Sequence, residues 1–137
     1  VGSSDVYKRQ LGFAFLSYTN AVLESGVKII LEETKLESFI KNADFVITGE
    51  GRLDGQTVMG KAPIGVAEIA KKYEKKVLAF GGCVAEDATL CNQYGIDAFF
   101  PILRTVTTLK EAMDFNHAKE NLSAAVEQVF RLIQSFE

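Results

Sequence analysis

The sequence DFVITGEGRLDGQTVMGKAPIGVA, residues 44–67, predicts a strand, a glycine-rich loop and a helix in direct succession. The run from Asp44 to Ile47 is mostly β-branched and aromatic, which is typical of a buried parallel strand. Pro63 suits the first turn of a helix, and apolar residues recur at helical spacing after it, namely Val66, Ile69, Ala70 and Tyr73. Free backbone N–H groups and the helix dipole would both favour an anion at such a loop.

The rest of the chain alternates helical and strand patterns. Helices are predicted from Phe13 to Glu24, packed between other elements, and then from Val27, around Leu36, Phe39 and Ile40, over 87–94 before Gly95, and after Thr108. Thr108 and Glu111 have the spacing of a capping box. Asn116 is expected to start the last helix, whose apolar face contains Leu122, Val126, Val129, Leu132 and Ile133. Strands are predicted over 76–80, closed by Gly81 and Gly82, and over 98–102.

These patterns predict an α/β fold, a parallel β-sheet flanked by helices in a Rossmann-like, three-layer arrangement. The carboxyl ends of parallel strands meet at one edge, where open α/β sheets bind their ligands. The segment after Ile47 and the glycine pair after Phe80 are therefore expected at the same edge. Met59, Phe99, Phe100, Phe115 and Phe130 are expected in the core.

Composition excludes several classes of protein. The chain has 137 residues, 47% of them apolar and 24% charged, as in an ordinary soluble domain. Its formal net charge of −3 argues against a nucleic-acid surface. No apolar run suggests a membrane span, so the cytoplasm is the expected compartment. Cys83, Cys91 and His117 are too widely spaced for a zinc site, and we expect reduced, partly buried thiols and a surface histidine.

The central segment resembles the type I glycerate kinases, whose signature is I-T-G-E-G-R-hydrophobic-D-x-Q-T followed by G-K-x-P-I-G-V-A. All of these positions are present, from Ile47 to Ala67. A weaker likeness runs from about Leu11 to the C-terminus. It implies the C-terminal α/β part, residues 11–137, of a longer two-domain kinase, and so an incomplete fragment that is inactive without its N-terminal half and that is prone to self-association.

Residues 1–10 do not share this resemblance. The segment from Asp5 to Gln10 is similar to the translation of a transposon-end adapter used for sequencing libraries, so we expect a non-native tail. An ordinary disordered terminus is the alternative. Neither interpretation assigns these ten residues a function.

The resemblance implies ATP-dependent phosphorylation of D-glycerate to 2-phosphoglycerate with Mg²⁺, and the residues of the loop are suited to that chemistry. Lys61 and Arg52 can bind phosphate or the substrate carboxylate, and with Asp54 they are the expected catalytic residues. Glu50 and Asp54 offer hard oxygen ligands for magnesium, or one of them can take the acceptor's proton. The residues expected to bind substrate or nucleotide are Gly49, Glu50, Gly51, Gln56, Thr57 and Gly60.

Two other functions stay open at this point. Residues 55–61 match the spacing of a Walker A phosphate loop, which suggests a nucleotide-binding module, but Ala62 stands where that loop needs a hydroxyl for magnesium. A non-catalytic domain that binds a small acid or a sugar phosphate is the third possibility. Taken singly, Arg52 and Asp54 would also suit a surface ion pair.

Overall fold

The computed structural model describes the backbone of residues 3–22 and 24–136, and the side chains of residues 10–22 and 24–136. In chain order the elements of this part are α1 Ser3–Tyr18, α2 Gly26–Glu33, α3 Leu36–Ile40, β1 Phe45–Leu53, α4 Ala62–Lys72, β2 Lys76–Val84, a 3-10 helix Glu86–Tyr94, β3 Ala98–Pro101, α5 Leu109–Ala112 and α6 Phe115–Gln134. Alternating strands and helices confirm the predicted α/β class.

The described strands form one parallel sheet in the order β1-β2-β3. β1 and β2 pair from Phe45 opposite Lys76 to Leu53 opposite Val84. β3 pairs with the middle of β2, and Pro101 ends it at the sheet edge. α4 is the connection between β1 and β2, so the ends of both strands and the start of α4 lie at one edge of the sheet.

Helices cover both faces of this sheet, as the three-layer prediction requires. Alternate residues of β2 point to opposite faces. Val77 and Ala79 pack into a core with α3, α4 and the 3-10 helix, whereas Leu78 and Phe80 pack with Val129 of α6. Phe80 also lies against Phe100, with ring centroids 5.6 Å apart. The sheet is thereby held as a platform for the residues at its carboxyl edge.

The first two of the three predicted strands are too short, and the third is one residue too long. β1 continues to Leu53 and β2 to Val84, because the parallel pairing carries on through Glu50 opposite Gly81 and Arg52 opposite Cys83. Gly81 and Gly82 do not close the strand. A Cβ on Gly82 would lie 2.7 Å from the carbonyl oxygen of Gly51. Because glycine has no side chain, β1 and β2 can approach each other closely at this point.

The first helix differs most from the prediction. It runs from Ser3 to Tyr18 instead of from Phe13 to Glu24, so it includes most of the expected tail. The chain through 20–22 and 24–25 has no regular structure, and Leu23 lies outside the described residues. Its large apolar side chains are exposed and not packed between other elements, namely Leu11, Phe13, Phe15, Leu16 and Tyr18. Apolar residues all round a helix predict burial only if a partner covers them.

The helices at residues 26–40 and 62–72 agree with the prediction to within one or two residues. The expected apolar face of α4 is packed, from Val66 to Tyr73. Phe39 is an exception in α3, because it is exposed while Ile40 of the same stripe is buried. The 3-10 helix ends as expected at Gly95, which has a φ of 97°.

In the C-terminal helices the capping box of Thr108 and Glu111 is confirmed. α6 starts one residue before Asn116, because Asp114 caps it by accepting hydrogen bonds from two backbone N–H groups. Val129 of the expected apolar face is buried, but Leu132 is largely exposed. Met59 and Phe115 are also exposed and do not belong to the core.

Candidate functional site

The expected site residues lie along the second half of β1, in the turn that follows, and at the start of α4. Gly49, Glu50, Gly51 and Arg52 belong to β1 and not to a loop, and all of them except Gly51 have a partner residue on β2. Residues 54–60 form the turn, and Lys61 is the N-cap residue of α4. Because the strand and the helix meet through a short turn, side chains from both ends can face one point.

Lys61 brings two of the predicted carboxylates together. Its Nζ lies 3.3 Å from Oδ1 of Asp54 and 3.7 Å from Oε2 of Glu50. The side chains of the two acids are mostly buried, whereas about a third of the lysine side chain is exposed. Two carboxylates in so little solvent need a counter-charge, and the ammonium group supplies it.

Arg52 contacts one of these two carboxylates, that of Asp54. Its Nε lies 3.3 Å from Oδ2 of Asp54, and 64% of its side chain is exposed. The remaining guanidinium donors face solvent, where a phosphate or carboxylate group could reach them. The structure therefore brings Arg52, Asp54 and Lys61, the three expected catalytic residues, into one cluster.

The position of Asp54 affects its ionisation. Partial burial is the largest single influence and raises the pKa, but hydrogen bonds from Lys61 and from the Gln56 N–H, together with the charges of Lys61 and Arg52, lower the pKa of Asp54 below its ordinary value of 3.8. Asp54 is thus ionised at neutral pH. A carboxylate with a lowered pKa is a weak base, so this residue is better suited to holding a cation than to taking a proton.

Thr57 was expected to bind substrate or nucleotide, but its side chain lies in the core. It is fully buried, and its hydroxyl donates to Oε1 of Glu50 and accepts from the backbone N–H of Asp54 at 3.1 Å. Because both hydrogen-bonding capacities are already used inside the protein, we no longer expect Thr57 to contact a substrate. Gln56 is exposed, and its backbone N–H donates to Oδ1 of Asp54 at 3.0 Å.

At two of the expected glycine positions the backbone geometry requires a residue without a side chain. Gly60 has a φ of 88°, which L side chains rarely adopt, and it turns the chain into Lys61. A Cβ on Gly49 would collide with the carbonyl oxygen of Phe80, so glycine is needed for the two strands to approach each other there. Gly49 and Gly51 are strand residues, and the prediction that they belong to the loop after Ile47 is wrong.

One acidic residue near the cluster was missed. Oδ2 of Asp87 lies 2.6 Å from the position of a Cβ on Gly55, so its carboxylate sits beside the turn. These carboxylates also affect Cys91. The pKa of its thiol is raised, mainly by burial, next by the charge of Glu50, and less by the charges of Asp54 and Asp87. The sequence could have indicated Asp87, because this residue follows the end of β2 and therefore lies at the same edge of the sheet as the motif.

Open space adjoins the cluster on one side. A cleft of about 370 Å³ is lined by Glu50 and by the apolar side chains of Ile47, Phe80, Ile102 and Leu122. A larger groove of about 940 Å³ lies between α2, α3 and α4. It touches Gly60 but not Glu50, Arg52 or Asp54, and of the charged cluster the smaller cleft touches Glu50 alone.

Residues 10–134 match the model of the glycerate kinase family. The chain belongs to that family. A glycerate kinase of Bacillus subtilis (strain 168) is 43% identical over 119 residues, which are 87% of this chain and 31% of that protein. A glycerate 2-kinase of Escherichia coli (strain K12) is 43% identical over 115 residues, which are 84% of this chain and 30% of that protein.

A solved structure supports the same assignment within the glycerate kinase family. The crystal structure of a Salmonella typhimurium LT2 protein described as a glycerate kinase 2 is similar with a TM-score of 0.61 and 34% identity. The similarity covers 90% of this chain and 30% of that one. The chain thus spans about a third of the length of the family members it matches.

Glu50 and Asp54 are the residues of this site whose side-chain oxygens suit a magnesium ion. Glu50 and Asp54 converge on the cation of Lys61, and oxygen donors of this kind suit Mg²⁺, which is often held by one or two carboxylates with water and phosphate. Within residues 3–22 and 24–136, no group of three or more His, Cys, Asp or Glu is placed to hold a metal. The same residues contain no helix long and apolar enough to cross a membrane.

Proposed function

We propose that this chain supplies the phosphoryl-transfer edge of a kinase that phosphorylates D-glycerate to 2-phosphoglycerate with ATP. The observation that carries the proposal is the convergence of Glu50, Asp54 and Lys61 at the carboxyl edge of a parallel sheet, in a member of the glycerate kinase family. The name of the Escherichia coli relative, glycerate 2-kinase, supports the 2-hydroxyl as acceptor.

In this reaction the acceptor hydroxyl oxygen forms a bond to the γ-phosphorus, the bond from that phosphorus to the β,γ-bridging oxygen breaks, and ADP leaves. The acceptor hydroxyl releases its proton to solvent, so ATP and D-glycerate give ADP, 2-phosphoglycerate and a proton. Mg²⁺ would be held by Glu50 and Asp54 and, when bound, would neutralise charge on the phosphate oxygens. These two carboxylates are the proposed metal ligands because their hard oxygens already face one cation.

Lys61 and Arg52 would bind the negative groups of the two substrates. Lys61 stands immediately before α4, so its ammonium and the helix dipole act together on a phosphate. Arg52 is more exposed and offers a planar pair of donors to a phosphate or to the carboxylate of glycerate. Gln56, at the exposed tip of the turn, is placed to bind the polar groups of a small hydroxy acid.

We further propose that turnover requires a polypeptide of family length, since this chain spans about 30% of the Bacillus subtilis and Escherichia coli relatives. By itself the chain is expected to be inactive. Its exposed apolar side chains on α1, such as Phe13 and Tyr18, are expected to promote self-association. The cytoplasm, where ATP is abundant, is the proposed compartment.

The experiment is a kinase assay on a chimaera in which residues 11–137 replace the matching segment of the Bacillus subtilis relative. ADP formation should depend on both ATP and D-glycerate, and ³¹P and ¹³C NMR should place the new phosphate on the 2-hydroxyl. The 137-residue chain alone should give no turnover. A folded chimaera that binds glycerate or ATP but forms no phosphoglycerate would favour a non-catalytic binding domain instead.

A further inference from the structure

The hydroxyl of Thr57 is buried among the charged residues of the site. No part of Thr57 is exposed, and among the described residues it is the buried polar residue of the core. The hydroxyl donates to Oε1 of Glu50 and accepts the backbone N–H of Asp54 at 3.1 Å. No buried side-chain nitrogen or oxygen of the described residues is left without a hydrogen-bond partner.

The backbone of Thr57 is engaged as well. Its N–H donates to the carbonyl oxygen of Asp54 at 2.9 Å, and its carbonyl oxygen accepts the N–H of Lys61 at 3.3 Å. One buried residue thus bonds to three others whose side chains form the charged cluster. Glu50 comes from β1, Asp54 from the start of the turn and Lys61 from the start of α4.

We infer that Thr57 is a positioning residue, which holds the Glu50 carboxylate and the turn so that Glu50, Asp54 and Lys61 face one point. This inference rests on the proposed function only for what those three residues bind. The hydrogen bond to Oε1 leaves Oε2 as the Glu50 oxygen that faces Lys61. Without that bond the Glu50 side chain can rotate, and its second oxygen is no longer directed at the site.

Threonine suits this place for two physical reasons. Its methyl group fills space in a buried position, and its hydroxyl satisfies a carboxylate and an N–H that would otherwise be buried without partners. Thr57→Val keeps the shape but leaves both groups unpaired. Thr57→Ser keeps the hydroxyl and loses only the methyl group, so the two substitutions separate hydrogen bonding from packing.

The test measures Mn²⁺ binding to the chimaera, which has the family length that the proposed function requires, by electron paramagnetic resonance, with Mn²⁺ as the probe for the proposed magnesium site. Thr57→Val should weaken Mn²⁺ binding about tenfold, and Thr57→Ser should stay within about twofold of the wild type. Ile96→Val is the matched control, because it removes a methyl group from the same core at the opposite end of the strands. It should lower the melting temperature without changing the Mn²⁺ affinity.

The outcomes separate this inference from the proposed function. If Glu50→Gln weakens Mn²⁺ binding and Thr57→Val does not, the positioning role is wrong while the metal site stands. If Glu50→Gln and the wild type bind Mn²⁺ equally, the proposed metal site fails, and the inference fails with it. Loss of binding in Thr57→Val with recovery in Thr57→Ser supports the role.

A second measurement covers the case in which Thr57→Val does not fold. In the wild-type chain the N–H of Asp54 donates to the buried hydroxyl, so it should exchange slowly with deuterium in NMR spectra. The N–H of the exposed Gln56 bonds only to a side-chain oxygen at the surface of the turn and should exchange faster. Rapid exchange of the Asp54 N–H would overturn the inference.

Discussion

The ammonium of Lys61 lies 3.3 Å from Oδ1 of Asp54, across a turn of seven residues that joins the end of β1 to the start of α4. Asp54 is mostly buried, whereas Lys61 is partly in solvent. The net contribution of this ion pair to stability is small, because the cost of burying the Asp54 carboxylate and of ordering the lysine offsets much of the attraction. Its main consequence is that a cation is held at the sheet edge, beside a second carboxylate.

Arg52→Ala in the chimaera should raise the KM of one substrate by about 10 to 100-fold and change kcat much less, because a charge-assisted fork is lost from its binding site. The substrate affected shows whether Arg52 binds glycerate or ATP. Steady-state kinetics with each substrate varied in turn measures this. Arg52→Lys should recover only part of the loss, since an ammonium cannot form the planar pair. Arg131→Ala on α6 is the control, and an equal effect there would refute a specific role for Arg52.

Gly60→Ala should destabilise the chain by about 1 to 2 kcal/mol, because a residue with a Cβ is strained at a φ of 88°. No atom within 4 Å would touch the added methyl group, so the cost is conformational and not steric crowding. Chemical denaturation gives the free energy of unfolding. The control is Gly26→Ala at the start of α2, which also has open space and has no positive φ. Equal stability of the two variants would contradict the strained turn.

The two thiols should react at very different rates. Cys83 is exposed at the end of β2, whereas Cys91 is buried, and burial followed by the charge of Glu50 raises the pKa of its thiol. A thiol reagent at pH 8 should therefore modify Cys83 first and reach Cys91 only as the protein opens. Cys83→Ser should abolish the fast phase, and Cys91→Ser should leave it unchanged. The expectation of two partly buried thiols is wrong for Cys83.

Because of the capping box, the local stability of α5 should depend on pH. The hydrogen bond from the Thr108 N–H is the main cause that lowers the pKa of Glu111 to about 2 in the folded chain, and the hydroxyls of Thr108 and Thr107 add to it. Because the folded pKa lies below the ordinary value of 4.5, the stabilisation is complete above pH 4.5 and is lost as the pH falls towards 2. A ¹³C NMR titration of the Glu111 carboxyl group measures this. Thr108→Val removes the hydroxyl but keeps the backbone N–H, so the midpoint should rise only part of the way towards 4.5. An unchanged midpoint would contradict the contribution of the Thr108 hydroxyl.

The elements predicted well were those with a clear local pattern. The apolar spacing after Pro63 gives α4, the Thr108 and Glu111 spacing gives the capping box, and the β-branched runs give the cores of β1 and β2. Each of these depends on neighbouring residues alone. The sequence motif also located the charged cluster, because the strand end and the helix start had to meet at one edge of a parallel sheet.

The errors concern contacts between distant residues. The pattern Gly49-Glu50-Gly51-Arg52 has no apolar alternation, so its membership of β1 depends on pairing with β2 and is not visible locally. In the same way, the sequence shows that Thr57 is polar but not that it is buried. The apolar side chains of α1 and the side chain of Met59 are exposed. The apolar character of a residue therefore does not show whether any neighbour covers its side chain.

The most direct measurement compares turnover of the chimaera with that of its Lys61→Ala and Asp54→Asn variants, with Lys72→Ala as a control for a lysine paired elsewhere, with Glu37. We expect both site variants to lower kcat/KM by at least about a hundredfold, because each removes a charge that is proposed to act on the transferring phosphate or its magnesium ion. The control should keep normal activity. Melting temperatures should confirm that all the variants are folded. Near-normal glycerate-dependent ADP formation by both site variants would contradict the assignment of phosphoryl transfer to this edge of the sheet.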